Sequence, residues 1–404
     1  MYSIDMGSFK VDVFASKLEE EALSQLYSLY NHPALSGGHV AIMPDAHSGS
    51  GCVIGFTGYF TGGIIPSFVG VDMDCGVYSY VLPKSIVFDF EQLDRFIQKQ
   101  IPMGFASRSS EQIKNMFSLF NDSQRREIKT ICYELEKFLI SSYGDNYKDP
   151  ASQLGTMGGG NHFIEIEKFE DTHMLTVHSG SRNLGKKICD YFQNLAKTKN
   201  DVLSLPQNTD YLPFMTYGDA EKYLEMAQLT SLYAHYNKII MIKEILKYLN
   251  VVYDESNLIK SVHNYVSNER GMWCVRKGAI SAKAGERVVI PLSMKRGIVV
   301  GSGLGNPDFN YSAPHGAGRK HSRSEMKKML ASGVLTMDQF QQSMKGIWTS
   351  SVDPSTVDES DFAYKDDDDI FEELEKTVNI EFVAKPVYVI KHSAKMKADD
   401  YNNE

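Results

Sequence analysis

The run GGGNHFIEIEKFEDTHMLTVHSGSR, residues 158–182, carries two strand-like segments, Asn161–Glu167 and Met174–Val177, with no helical stretch between them. Apolar and β-branched residues fill both, and turn-forming residues bound them, as in short buried strands. A helix-periodic segment follows at Arg182–Lys199. Strand, strand, helix is not the alternation that builds a doubly wound sheet, so the stretch predicts an α+β fold.

Outward from it the pattern stays irregular. Lys17–Tyr30 reads as an amphipathic helix ending before Pro33, and His39–Met43, Cys52–Phe56, Phe68–Val71 and Val77–Leu82 read as buried strands between functional loops. Phe88–Gln100 and Glu111–Ser142 read as helices, as does Asp219–Leu249, patterned by Leu224, Ala227, Leu232, Ile239, Ile242, Ile245 and Leu249. Strand-like runs return at Met272–Val275, Val288–Leu292 and Val387–Ile390; helical pattern follows His315 and recurs near Phe371–Val378. No repeat or Pro/Ser-rich linker divides the chain. The best breaks, Asn200–Gly218 and the acidic Asp353–Asp369, each have candidate site residues on both sides. One domain over 1–404 is therefore expected.

The 404 residues suffice for a large core, and 42% hydrophobic with 23% charged residues is ordinary for a globular chain. No apolar run nears the roughly 20 residues that span a bilayer. The N-terminus has no basic segment followed by an apolar one, which argues against a signal peptide. Five scattered cysteines, Cys52, Cys75, Cys132, Cys189 and Cys274, do not make a disulfide framework, and a reducing cytoplasm is expected. The net charge of −9 is uneven: twelve acids against Lys365 and Lys376 between Asp353 and Glu381 give that segment −10 and leave the rest near +1. A local basic surface is compatible with that balance.

Four turn-rich blocks each bring a metal-type side chain. Asp72 and Cys75 lie in Val71–Gly76, His162 follows Gly158–Gly160, His178 ends a strand before Ser179-Gly180-Ser181-Arg182, and His263 stands in Ser261–Asn264. A thiolate with imidazoles and carboxylates suits Zn, Mn, Fe or Co better than Mg or Ca, and a cysteine can bridge two ions. Two ions about 4 Å apart suit phosphoryl chemistry. Taken singly, each histidine is better explained as a structural hydrogen-bonder and Cys75 as a buried thiol, and Asp72 can be a turn cap. Their repetition beside strands, next to glycine, favours a site. Asp45 and His47 are further candidates; His32, His39, His173, His235, His321 and His392 read as surface or packing residues.

The segment Ser312–Arg323 places His315 in a small-residue turn before Gly316, Ala317 and Gly318, with Arg319 and Arg323 four residues apart. The glycines let backbone approach an anion, and the following segment is expected to start a helix whose N–H groups favour phosphate. At that spacing both arginines can face one way. His315 then reads either as a phosphate contact or as a nucleophile that takes up a nucleotidyl group.

Together Asp-x-x-Cys-Gly, Gly-Gly-Gly-Asn-His-Phe, Val-His-Ser-Gly-Ser-Arg and His-Gly-Ala-Gly-Arg-x-x-Ser-Arg, in that order from Met43-Pro44-Asp45-Ala46-His47 to Lys391, resemble the RtcB family of GTP- and Mn²⁺-dependent RNA ligases. The resemblance implies a single large RtcB-like α+β domain, mixed β-sheets surrounded by helices with the site in a central cleft, and a tail, 392–404, past the usual end. It implies joining of a 2′,3′-cyclic phosphate or 3′-phosphate RNA end to a 5′-hydroxyl end through a histidine–GMP intermediate and an RNA-ppG end, in RNA repair or tRNA splicing. His315 would be the nucleophile and Asp45 its orienting partner. Cys75 would bridge two Mn²⁺ ions, with Asp72, His162, His178 and His263 completing their shells. Asn161, Glu165, Ser293, Tyr364 and Lys391 would hold the GTP, approached by Gly316, Ala317 and Gly318. Arg182, Arg323 and Arg319 would grip substrate phosphates. RNA is the implied partner, an archease-type activator is admitted, and no membrane is involved. Asp74 departs from the Gly or Asn that many members carry, and Ile298 falls where some have a second guanine-contacting serine. The competing readings are a metal-dependent phosphoesterase acting on cyclic or 3′-phosphate ends, and a non-catalytic RNA-end binder.

Overall fold

The structure, a computed structural model, describes residues 1–70, 72–203, 212–269 and 271–394. Its strands in chain order are β1 Tyr2–Asp5, β2 Lys10–Val13, β3 His39–His47, β4 Ile54–Phe60, β5 Gly76–Val81, β6 Phe163–Phe169, β7 Thr172–Ser179, β8 Leu258–Val262, β9 Asn264–Glu269, β10 Met272–Lys277, β11 Ala279–Ser281, β12 Arg287–Ser293, β13 Gly297–Gly303, β14 Ser312–Pro314 and β15 Val378–Ile390. They form a six-stranded sheet in the order β1-β2-β3-β4-β10-β9, a seven-stranded sheet β12-β13-β15-β6-β7-β5-β8, and the pair β11-β14. The first is mixed, because β2 and β3 run parallel; the second is antiparallel throughout. Helices pack around them, which is the expected α+β arrangement.

The two strands of residues 158–182 form a hairpin. Phe163 faces His178 and Glu165 faces Thr176 across β6 and β7, closed by a turn in which Glu170 has φ +52°. The long helix Tyr217–Tyr248 packs across β7 and sets Ile239, Ile240, Ile242 and Ile245 into the main apolar cluster, which draws on residues from Met6 to Ile390. Leu232, expected on that buried face, is instead 44% exposed.

Other departures have local causes. Glu111–Ser142 is two helices, Ser110–Phe117 and Asp122–Tyr143, because Ser109 with Gln112 and Asn121 with Gln124 each close a capping box. Around Phe68 the chain makes the helical turn Pro66–Val69 rather than a strand; Pro66 sits where a first turn tolerates it, and Val71 lies outside the described residues. The segment near Phe371–Val378 is split between the helix Asp367–Leu374 and the start of β15. That strand is longer than the expected Val387–Ile390, absorbing Pro386 at a register shift. Residues 204–211, within the loop-like break, and 395–404, most of the expected tail, lie outside the described residues. Among the described residues no helix is long and apolar enough to cross a membrane.

Candidate active site

Antiparallel order gathers the metal-type side chains. With β6, β7, β5 and β8 side by side, the starts of β6 and β5 meet the ends of β7 and β8 at one end of the sheet. His162 precedes β6, Cys75 precedes β5, His178 nears the end of β7, and His263 follows β8. Cys75 Sγ lies 3.4 Å from His162 Nε2 and 3.3 Å from His178 Nε2. His178 Nε2 and His263 Nε2 are 3.4 Å apart, and His162 Nε2 is 2.9 Å from Asp72 Oδ2. Two sets of donors result, Asp72–Cys75–His162 and Cys75–His178–His263, each within 4.8 Å and sharing the thiol.

The donor set fits divalent metal. His162 Nδ1 donates to the Met157 carbonyl at 2.9 Å, so whatever lies between its Nε2 and the Asp72 carboxylate must be positive, a proton or a metal ion. Burial holds His178 and His263 well below the ordinary histidine range, so both are neutral with a lone pair to give. Burial, reinforced by the Asp72 charge, pushes the Cys75 thiol well up; a coordinated cation is what would make it a thiolate. Burial opposes ionisation of Asp72, yet the His162 hydrogen bond and charge outweigh it and set the carboxyl at about 2. Asp72 Oδ1, His178 Nδ1 and His263 Nδ1 are buried without a hydrogen-bond partner.

The long helix braces this cluster. Asn237 Nδ2 donates to Thr156 O, Ser179 Oγ and Gly180 O at 3.0–3.2 Å, and Lys238 Nζ donates to Asp74 O at 2.8 Å. Neither residue was expected; each interrupts an apolar helical pattern, the one signal it leaves. Asp74 has φ +56°, the left-handed conformation that Gly, Asn and Asp adopt most cheaply, and its carboxylate faces Lys238 at 3.5 Å. Arg182, also left-handed at φ +61°, donates to Thr156 Oγ1 at 3.2 Å and Gly104 O at 3.1 Å, with Nη1 3.5 Å from His162 Nδ1. Gly158 has φ +88°, where a side chain would be strained, and a Cβ there would fall 2.0 Å from that guanidinium and displace it.

His315 follows β14. Its Nδ1 donates to Asp45 Oδ2 of β3 at 2.7 Å, and its ring centroid lies 4.8 Å from that of His263. Gly318 at φ +68° lets the following loop pass against Asp45, where a Cβ would sit 3.0 Å from its Cα. That loop runs on through Ser322, so the helix expected directly after His315 begins only at Arg323, capped by Ser322 with Glu325. Arg319 lies before the helix, and the two arginines are not stacked on one helical face.

A cavity of about 200 Å³ opens beside His315. Asn161, Glu165, Ser293, Gly316, Ala317, Gly318, Tyr364 and Lys391 all line it, with His47, His178, Arg319, Arg323 and Glu359. Every residue expected at the nucleotide thus meets in one place, against the metal-type cluster. Lys391 Nζ donates to Asn161 O at 3.1 Å. Burial and the neighbouring Glu167 push the Glu165 carboxyl well up, and its Oε1 has no hydrogen-bond partner. Ser293 Oγ donates to Asp361 Oδ1 at 2.6 Å, an oxygen shared with Arg296 Nε at 2.7 Å. Arg323 Nη1 pairs with Asp358 at 2.8 Å and Glu359 at 2.6 Å; Arg319 bonds the Asp358 carbonyl. Asp358, Glu359 and Asp361 were missed because they sit in an acidic run that reads as solvated charge. The five cysteines are all unpaired, and Cys52, apart from the donor cluster, is pushed by burial to about 12.

A family model described as tRNA-splicing ligase RtcB matches residues 25–392. An Escherichia coli K12 protein named RNA-splicing ligase RtcB is 30% identical, the match covering 93% of this chain and 95% of that one. A Nanoarchaeum equitans protein named tRNA-splicing ligase RtcB is 26% identical, over 87% of this chain and 88% of its own. An Entamoeba dispar protein named RNA-splicing ligase RtcB homolog 2 is 26% identical, over 86% and 80%.

Proposed function

The chain belongs to the RtcB family, and from that membership we propose that it is an RNA ligase that seals 3′-phosphate or 2′,3′-cyclic phosphate ends to 5′-hydroxyl ends, using GTP and Mn²⁺. One observation carries the reading: an imidazole fixed at Nδ1 by a buried carboxylate stands between a cavity lined by every residue expected at the nucleotide and a cluster of metal-type donors.

With Nδ1 holding its proton toward Asp45, the His315 lone pair is on Nε2, the correct form for attack. Nε2 attacks the α-phosphorus of GTP; the N–P bond forms as the bond to the β-phosphate oxygen breaks, releasing pyrophosphate. An oxygen of the RNA 3′-phosphate then takes the guanylate from His315, giving an RNA-ppG end. The RNA 5′-hydroxyl attacks the terminal RNA phosphorus and expels GMP; a cyclic end first adds water to become the 3′-phosphate. Asp72, Cys75, His162, His178 and His263 are the residues that would hold two Mn²⁺ ions, which when bound would neutralise the reacting phosphates. Asn161, Glu165, Ser293, Tyr364 and Lys391 hold the nucleotide, and the Gly316–Gly318 backbone lies along its phosphates. Glu165, with its unpartnered oxygen, suits the donor edge of guanine. Arg182 and Arg323 take substrate phosphates. Arg319, whose side chain is 12% exposed and bonded into the cavity wall, serves the nucleotide side instead. We place the protein in the cytoplasm, where unpaired cysteines persist.

Incubation with [α-³²P]GTP and Mn²⁺ tests the reading. A stable adduct mapped by mass spectrometry to the peptide containing His315, and lost in His315→Ala, supports it. Sealing of cut RNA with that peptide unmodified overturns it, and phosphate-end processing that survives His315→Ala without GTP points to the phosphoesterase. The same assay with and without an archease-type protein reports whether turnover depends on an activator.

A further inference from the structure

The polar wall of the nucleotide cavity is organised around one carboxylate. Glu359 closes the short 3₁₀ segment Pro354–Glu359, and its side chain is 4% exposed. It lies 3.2 Å from Lys391 Nζ, 2.6 Å from Arg323 Nη1 and 3.6 Å from Arg319 Nη1, and it accepts a hydrogen bond from Tyr364 Oη at 3.1 Å. These partners come from four places in the chain: the loop after His315, the start of the helix Arg323–Ser332, the turn at Tyr364, and the residue after β15. Among the described residues, Glu359 alone forms an ion pair or hydrogen bond with all four. Lys391, 2% exposed, has its ion pair with Glu359, while burial pushes the Glu165 carboxyl well up and disfavours it as the counter-ion. Burial opposes ionisation of Glu359, and the three cations overcome it, keeping the carboxyl below its ordinary range.

A buried ammonium needs a charged partner in a fixed position, since three rotatable donors on a four-carbon stem do not place themselves. We propose that Glu359 is a positioning residue for nucleotide binding, fixing Lys391, Tyr364 and the two arginines in one arrangement that the guanine nucleotide meets ready-made. This rests on the reading that the cavity takes GTP. Glu359 acts through Lys391 and Tyr364, so its charge matters more than its contact with the nucleotide.

The test compares wild type, Glu359→Gln, Glu359→Asp, Lys391→Met and the double variant Glu359→Gln/Lys391→Met. GTP affinity is measured at equilibrium, kcat and KM by guanylylation, and Mn²⁺ binding by calorimetry with Mn²⁺ alone. Glu359→Gln should raise the GTP Kd and KM about tenfold or more with kcat changed less than about threefold, and Glu359→Asp should recover most of the loss. In the Lys391→Met background, adding Glu359→Gln should cost several-fold less than it does in wild type, because part of its effect runs through Lys391 and only the part through Tyr364 and the arginines remains. Mn²⁺ binding should not move. If Glu359→Gln does not fold, the double variant, which removes both buried charges together, should bind GTP more weakly than Lys391→Met by less than about tenfold, with Mn²⁺ binding unchanged. A Glu359→Gln Kd and KM within about twofold of wild type, or losses that multiply in the double variant, would overturn the proposal. Wild type that binds GTP yet forms no adduct sinks the ligase reading alone, since Kd still reports on Glu359.

Discussion

Asp45 Oδ2 accepts the Nδ1 proton of His315 across 2.7 Å, from a carboxylate 3% exposed on a strand of a different sheet. The strand β3 and the β14 turn are brought together by folding alone, 270 residues apart. Because the carboxylate can only accept, the ring is locked with its other nitrogen free.

That lock predicts the effect of Asp45→Asn. An amide can turn its NH₂ toward Nδ1 and so favour the tautomer with the proton on Nε2, which does not attack. Single-turnover adduct formation with [α-³²P]GTP should slow by about 10² to 10⁴-fold while Mn²⁺ affinity is kept. A rate within about threefold of wild type would mean that Asp45 merely packs.

The shared thiol makes a second expectation. Cys75 Sγ is the one donor common to both sets, so Cys75→Ala should abolish guanylylation and weaken Mn²⁺ binding by at least about 100-fold in calorimetry. Cys52→Ala, which removes a buried thiol outside both sets, should leave both intact. Equal losses in the two variants would show that the wrong cysteine has been chosen.

A pH effect follows from His32, buried with Nε2 donating to the Leu212 carbonyl at 2.9 Å. Burial, against the help of that bond, lowers it from 6.5 to about 4. The unfolded chain therefore takes up a proton below 6.5 that the folded protein refuses until about 4. Its contribution is complete above 6.5 and is lost as pH falls through that window, at about 1.4 kcal/mol per pH unit. Urea unfolding at pH 7 and pH 5 should show wild type losing more stability than His32→Gln, which keeps a donor without the titration. Parallel losses would refute it.

What the sequence made legible was chemistry carried by short segments. Cys75, His162, His178 and His263 each flank a strand within a few residues of glycine or serine, and local pattern suffices to mark them. The sheet that unites them was not legible, because β15 pairs with β6 across more than two hundred residues, and β13, Gly297–Gly303, with three glycines, was not among the expected strands. The helix break at Asn121 was written in the chain as Asn-x-x-Gln and could have been read. Glu359 could not: its neighbours Asp358 and Asp361 make it look like surface charge, and only Lys391, Arg319 and Arg323 arriving from elsewhere turn it into a buried centre. Asp74, noted only as a departure from Gly or Asn, has the left-handed backbone those residues share, and its carboxylate faces Lys238.

The proposed role of Arg182 at the RNA phosphate can be separated from nucleotide capture. Its guanidinium is already fixed by Thr156 Oγ1 and Gly104 O beneath the Gly158–Gly160 loop, and it reaches His162 without lining the cavity beside His315. Lysine keeps the charge but cannot make that fork of bonds. Arg182→Lys should therefore form the GMP adduct at a rate within about threefold of wild type and lose at least about 100-fold in sealing of 3′-phosphate RNA. The ratio of the two rates is the measurement that matters. If adduct formation, sealing and melting temperature all fall together, Arg182 is a brace for the His162 loop and the phosphate grip lies elsewhere; only a loss confined to sealing assigns it to the RNA end.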